Sequence, residues 1–173
     1  TAAFAIIAAI GLQGVRLLQV ELGEKIVVIG LGLIGILTCQ ILQANGCEVI
    51  GMDNNENALE KANLLGITTY HSGKISGSDM FQHVFGGIGA DAVIITASAA
   101  APLTNYAAEI CRKRGRIVLV GVVSNELDRD LFYKKELRFQ VACSYGPGRY
   151  DPVYEEQGVD YPIGFVRWTE SRN

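Results

Sequence analysis

The sequence is short of the residues that metal and disulfide chemistry need. It has two histidines, His71 and His83, and four cysteines, Cys39, Cys47, Cys111 and Cys143, with no C-x-x-C pair among them. That spacing argues for a reduced, cytoplasmic chain without a zinc module, in which the cysteines are small core hydrophobes. Positive charge is not in excess: fifteen Lys and Arg against eighteen Asp and Glu leave a formal net charge of -3. No broad basic face is therefore available to neutralise a nucleic-acid backbone or to sit on an anionic membrane. The apolar run from Ala2 to Leu12 lacks a basic leader and is broken by Gly11, with Gly14 close behind. It is too short to span a bilayer and does not resemble a signal peptide. Internal repeats and low-complexity tracts are missing as well.

What is present fits one folded domain. Across 173 residues, 49% are apolar and 19% charged, which excludes a disordered chain. The chain opens on Thr1 and stops at Asn173, just after a Thr169-Glu170-Ser171 cluster that reads as a helix start. It is expected to be a piece of a longer protein.

From Glu24 onward, short β-branched apolar runs alternate with longer amphipathic stretches, the pattern of a parallel sheet with crossover helices. The first strand is expected at Lys25 to Ile29, too uniformly apolar to have a wet face. A helix from Leu33 to Ala44 stops at Asn45-Gly46, and the second strand runs from Cys47 to Met52. Asp53 to Asn55 can cap a helix from Glu56 to Leu65, and Thr68 to Tyr70 is a short third strand. A short helix is expected around Asp79 to Phe85, with the fourth strand at Asp91 to Thr96. Pro102 suits a helix start, and Arg112, Lys113 and Arg114 before Gly115 suit its last turn. The fifth and sixth strands fall at Arg116 to Val120 and Leu137 to Cys143. Three of the four prolines and six of the fourteen aromatics lie between Tyr145 and Trp168, without periodicity. This arm needs a surface to pack on, expected to lie outside the chain. The division is thus 1–22, a leading helix; 23–144, the α/β unit; and 145–173, the arm.

Directly after the first strand stands Gly30-Leu31-Gly32-Leu33-Ile34-Gly35, a G-x-G-x-x-G. The string alone is weak, but here a buried strand precedes it, a helix follows, and an acidic residue ends the next strand, the context of a dinucleotide fingerprint. Gly30 permits the tight turn, Gly32 lets a pyrophosphate approach the backbone, and Gly35 lets helix and strand pack closely. The free amides around Leu33 and Ile34 would face phosphate at the positive end of the helix dipole. Asp53 follows Gly30 by 23 residues, close to the roughly twenty of the fingerprint. A carboxylate there accepts from both ribose hydroxyls and repels a 2′-phosphate, so NAD is favoured over NADP. Asn54 and Asn55 bring no positive charge that would reverse the choice. The competing reading makes Asp53 only a helix cap.

Other conspicuous residues carry little. His71 and His83 have no ligand-spaced partner, and Lys134, Lys135 and Glu136 read as a solvated charge run.

With the glycine loop, Asp53, Gly89-Ala90-Asp91-Ala92-Val93 and Gly115-Arg116-Ile117-Val118-Leu119-Val120-Gly121 in this order, the chain from about Leu12 to Ser144 resembles the cofactor-binding domain of medium-chain alcohol dehydrogenase-like enzymes. The resemblance implies a Rossmann-type, doubly wound six-stranded parallel sheet in the order 3-2-1-4-5-6. It implies that Ala97 and Ser98 flank the adenosine and that Val120, Gly121 and Val122 lie near the nicotinamide. Zinc-dependent members carry a cysteine ligand at a position that falls near Ala5 here, within Ala2-Ala3-Phe4-Ala5-Ile6; alanine cannot bind the metal, so the chain gives zinc no support. Tyr145-Gly-Pro-Gly-Arg149-Tyr150-Asp151 and Ile10-Gly-Leu-Gln-Gly-Val-Arg16 look like a branch fused to a second, sugar-oxidoreductase-like domain.

The expected function is binding of NAD(H) in an oxidoreductase that moves hydride between the cofactor and an alcohol or carbonyl substrate. No residue of the chain takes a catalytic role, and the chain alone is expected to be inactive. The edge of the sixth strand is expected to pair with a second copy. The rival readings are a dinucleotide-sensing regulatory module and an S-adenosylmethionine methyltransferase, whose sheet would end in an antiparallel hairpin.

Overall fold

The computed structural model describes residues 2–100, 102–124 and 126–173. Helix α1 (Ala5–Leu18) leads into β1 (Lys25–Ile29), α2 (Leu33–Ala44), β2 (Glu48–Asp53), α3 (Glu56–Leu64) and β3 (Thr68–His71). A single turn, α4 (Gly77–Asp79), widens into the π-type turn Met80–Val84. Then come β4 (Ala90–Ile95), the two-residue β5 (Ser98–Ala99), α5 (Leu103–Ile110), β6 (Cys111–Leu119) and the two-residue β7 (Val122–Val123). Helix α6 (Arg129–Lys135), β8 (Arg138–Val141) and the one-turn α7 (Pro152–Glu155) complete the chain.

Six strands form one sheet in the order β3-β2-β1-β4-β6-β8, and every pairing is parallel. The two short strands pair only with each other; without them the order is the expected 3-2-1-4-5-6. No antiparallel hairpin closes the described sheet, so the mark of a methyltransferase is not found among the described residues. Nor is any described helix long and apolar enough to cross a membrane.

The uniform apolarity of β1 has a direct cause. Side chains alternate across a strand, and here both faces are covered. Ile26 and Val28 join Val15, Leu18, Leu42 and Leu59 on the face of α1, α2 and α3. Val27 and Ile29 meet Met80, Phe85, Ala107 and Ile110 on the other. Each such side chain contributes about 1.5–3 kcal/mol when fully buried, so a polar residue in this strand would be costly on either face.

Several expectations are corrected. Helix α5 ends at Ile110, so Arg112, Lys113 and Arg114 lie beyond it. Arg112 is drawn to Asp91 at the start of β4 (Nε to Oδ1, 2.6 Å), and Arg114 adopts a left-handed φ of 58°. The cation at the end of α5 comes instead from Lys135. Its ammonium donates to the carbonyls of Ala108 (2.9 Å), Glu109 (2.7 Å) and Cys111 (2.7 Å). Lys135 is therefore no solvated residue, unlike Lys134, which makes an exposed pair with Asp130 one turn away. Cys39, Cys47 and Cys111 are buried, but Cys143 is exposed. Burial pushes the Cys39 and Cys111 thiols up to about 12, which leaves them inert.

The arm also departs from expectation, because part of its packing surface lies within the chain. Trp168 rests on the guanidinium of Arg16 in α1, 3.4 Å from the ring centre. The Asn173 amide donates to Gln13 Oε1 (3.1 Å) and to the carbonyl of Tyr145 (2.9 Å). Tyr154 and Tyr161 stack with centroids 5.3 Å apart. Phe165, at 91% exposure, has no such cover.

Candidate functional site

In a parallel α/β sheet, ligands bind beyond the carboxyl ends of the strands, where the chain leaves in opposite directions on the two sides. Here that point lies between β1 and β4. A cleft of about 330 Å³ opens there, lined by Gly30, Gly32, Asp53, Asn54, Ala97 and Ser98, together with Met52, Ser72, Thr96, Ala99 and Leu103 among others. Six of the residues singled out from sequence thus converge on one wall.

The three loop glycines do different work. At Gly30 the backbone turns with φ +100°, and an added Cβ would stand 2.6 Å from the amide nitrogen of Ala97. At Gly35 an added Cβ would lie 1.8 Å from the carbonyl oxygen of Gly30, so the helix could not approach the strand. At Gly32, which has φ -68°, an added Cβ would meet no heavy atom within 4 Å. Two glycines serve internal packing, and the middle one faces open space in the cleft.

Helix α2 begins at this loop without a side-chain cap, whereas α3 is capped by Asn55 and α6 by Asp128. The first amides of a helix have no intrahelical acceptor, and together with the dipole they suit an anion. Leu33 and Ile34 stand in this first turn, though neither they nor Gly35 line the cleft.

Asp53 closes the site at the end of β2. Its Oδ2 accepts from the Leu31 amide (2.6 Å) and its Oδ1 from the Asn55 amide (2.9 Å). Asn55, not Asp53, caps α3, with its side chain accepting from the amides of Asn57 and Ala58. The cap reading of Asp53 is thereby set aside. No ion pair among the described residues involves Asp53.

Of the lining residues that the sequence does not single out, Ser72 and Thr96 are polar. Thr96 shares its hydroxyl between the carbonyls of Gly30 (2.6 Å) and Ile29 (3.2 Å), which fixes the first turn of the loop. Ser72 donates its amide to the Asp53 carbonyl (2.9 Å). Both are placed by strand register, which a local reading cannot supply. The third predicted group is only partly assembled. Val120, Gly121 and Val122 do not line the cleft. Val122 pairs in register with Ser98, Gly121 packs on the carbonyl of Ala97, and Val120 lies against Gly14 of α1.

The chain is similar to known proteins over most of its length. Residues 34–157 match the family model described as zinc-binding dehydrogenase. D-xylulose reductase of Saccharomyces cerevisiae is 30% identical over 155 residues, covering 85% of this chain and 43% of that protein. The structure of 2R,3R-butanediol dehydrogenase from Bacillus subtilis superposes with a TM-score of 0.74 at 22% identity, over 83% of this chain and 42% of that one. A Sinorhizobium meliloti structure bound to NADP superposes at 0.72 with 24% identity, over 81% and 43%. These two structural likenesses speak to the fold alone. The chain spans less than half the length of these relatives.

Proposed function

The chain belongs to the zinc-binding dehydrogenase family, and on that premise we propose that it is the NAD(H)-binding part of an oxidoreductase acting on an alcohol or carbonyl substrate. The observation that carries the reading is the pairing of open space at Gly32 with the Asp53 carboxylate on the wall of one cleft. The residues fit the cofactor: the uncapped start of α2, with Gly32, Leu33 and Ile34, would take the pyrophosphate. Asp53 would take the adenosine ribose, with Asn54, Ala97 and Ser98 beside it. Val120, Gly121 and Val122 would stand toward the nicotinamide. When bound, the cofactor supplies the hydride, and the chain contributes orientation and electrostatics.

The cofactor choice within this reading is NAD. A 2′-phosphate would meet the Asp53 carboxylate, and Asn54 and Asn55 offer no countercharge. Amide chemical shifts of Gly30 to Gly35 and of Asp53 on addition of NADH test the assignment; shifts confined to other parts of the chain would refute it.

Zinc, which the family name implies, does not fit here. Among the described residues no group of three or more His, Cys, Asp or Glu could hold a metal ion. No step through a metal is assigned to this chain. Within the same proposal, residues 23–144 form the nucleotide-binding unit, while 1–22 and 145–173 connect it to the parts that bind substrate. The free edge of β8 is proposed to pair with a second copy, because β8 is the last strand of the sheet and Val141 is half-exposed there. Sedimentation that gives a monomer at high concentration would count against it.

A further inference from the structure

Beside Asp53 lies a charged cluster that the cofactor reading has not used. β3 pairs with β2 so that His71 sits opposite Asp53, and the next residue, Ser72, lines the cleft. The chain then turns, with the Lys74 amide donating to the His71 carbonyl (3.0 Å). Lys74 Nζ is bonded to Glu56 Oε1, in the first turn of α3. The same oxygen lies 3.8 Å from His71 Nε2, while His71 Nδ1 accepts from the Gly73 amide (3.1 Å). Glu56 thus stands three residues after Asp53, in the first turn of α3, and Lys74 two residues after Ser72, although neither residue lines the cleft itself.

The geometry points to Glu56 as a second determinant of cofactor choice, one that holds Lys74 in an ion pair and so withholds it from a 2′-phosphate. This inference rests on the reading of Asp53 as the ribose ligand. An ammonium near the end of β2 is the point charge that would otherwise recruit phosphate. Pairing it with a carboxylate cancels that attraction. Lys74 in turn holds the Glu56 carboxyl below its usual range, with a smaller contribution from His71. The pair is exposed at its outer side, 67% for each side chain. It can therefore be separated without disturbing the core.

Binding of NADH and NADPH to the 173-residue chain, followed by the fluorescence of the reduced nicotinamide, tests the inference in four proteins: wild type, Glu56→Gln, Lys74→Gln and the double variant. Glu56→Gln should strengthen NADPH binding by up to about 5-fold, the release of one exposed ion pair, with NADH binding within two-fold of wild type. The double variant should lose that gain, and Lys74→Gln alone should leave NADPH no better than in wild type. An unchanged NADPH-to-NADH ratio in Glu56→Gln, with NADH binding intact, would overturn the role of Glu56. A gain that survives in the double variant would overturn the role of Lys74. Failure of the wild type to bind NADH would instead remove the dinucleotide reading, and this inference with it. Coincident thermal melts of the four proteins establish that each is folded.

Discussion

Asp53 and Leu31, 22 residues apart, are joined by a 2.6 Å hydrogen bond from the loop amide to the carboxylate Oδ2. The acidic residue proposed to read the ribose also holds the first turn of the glycine loop, so the two are mechanically one. Replacing Asp53 with Ala should therefore do two things. NADH affinity should fall by 10-fold or more, and the protein should lose about 1.5–3 kcal/mol, the range for hydrogen bonds to a charged group. Calorimetric titration and denaturant unfolding measure the two effects on one sample.

Glycine substitutions should separate packing from binding. Gly35→Ala places a Cβ 1.8 Å from the Gly30 carbonyl oxygen and should lower the melting temperature sharply or prevent folding. Gly32→Ala has free space and a φ of -68°, so its melting temperature should stay near or slightly above wild type. Its NADH affinity should nevertheless fall, because the methyl group would occupy the approach proposed for the pyrophosphate. Equal loss of stability in both variants would contradict this division.

The neighbouring lysines should differ although the sequence gives them the same look. Lys135→Met removes three hydrogen bonds to carbonyls at the end of α5 and should cost about 1.5–3 kcal/mol. Lys134→Met breaks an exposed pair one turn along α6 and should cost under about 0.5 kcal/mol. Urea unfolding of the two variants gives the comparison.

The arm should respond to acid through two carboxyls with opposite signs. The Tyr161 hydroxyl, and then the amides of Val153 and Tyr154, hold the Asp151 carboxyl below its usual range. Its contribution is present above the unfolded value near 3.9 and is lost as pH falls through the depressed folded value. Desolvation, and then Glu155, raise the Glu170 carboxyl, so its charged form opposes folding and that penalty disappears as pH falls through the raised value. The arm should be most secure in the window between the two. Trp168, the single tryptophan, reports it: its emission should shift toward that of exposed indole at the acid limit. In Tyr161→Phe the acid-side shift should begin at higher pH.

The difference between these lysines also marks how far the sequence could be read. The β1-loop-α2 segment and Asp53 were legible because strand burial, the glycine spacing and the acidic end of β2 are local patterns. The end of α5 was not, because the residues that settle it are remote: Asp91 captures Arg112, and Lys135 takes the place at the helix terminus. Thr96 and Ser72 escaped notice for the same reason, since only the parallel register brings them to Gly30 and Asp53. The contact of the arm with α1 was not legible, because Arg16 and Trp168, 152 positions apart, show no signal of it in sequence.

The most direct test of the account is isothermal titration of the folded 173-residue chain with NADH, with S-adenosylmethionine as control. Saturable heat with NADH, lost in Gly32→Ala and silent with S-adenosylmethionine, is the predicted result. No heat with NADH or NAD on a sample whose cooperative melt shows it to be folded would contradict the assignment of the Gly30 to Gly35 loop and Asp53 as a dinucleotide site.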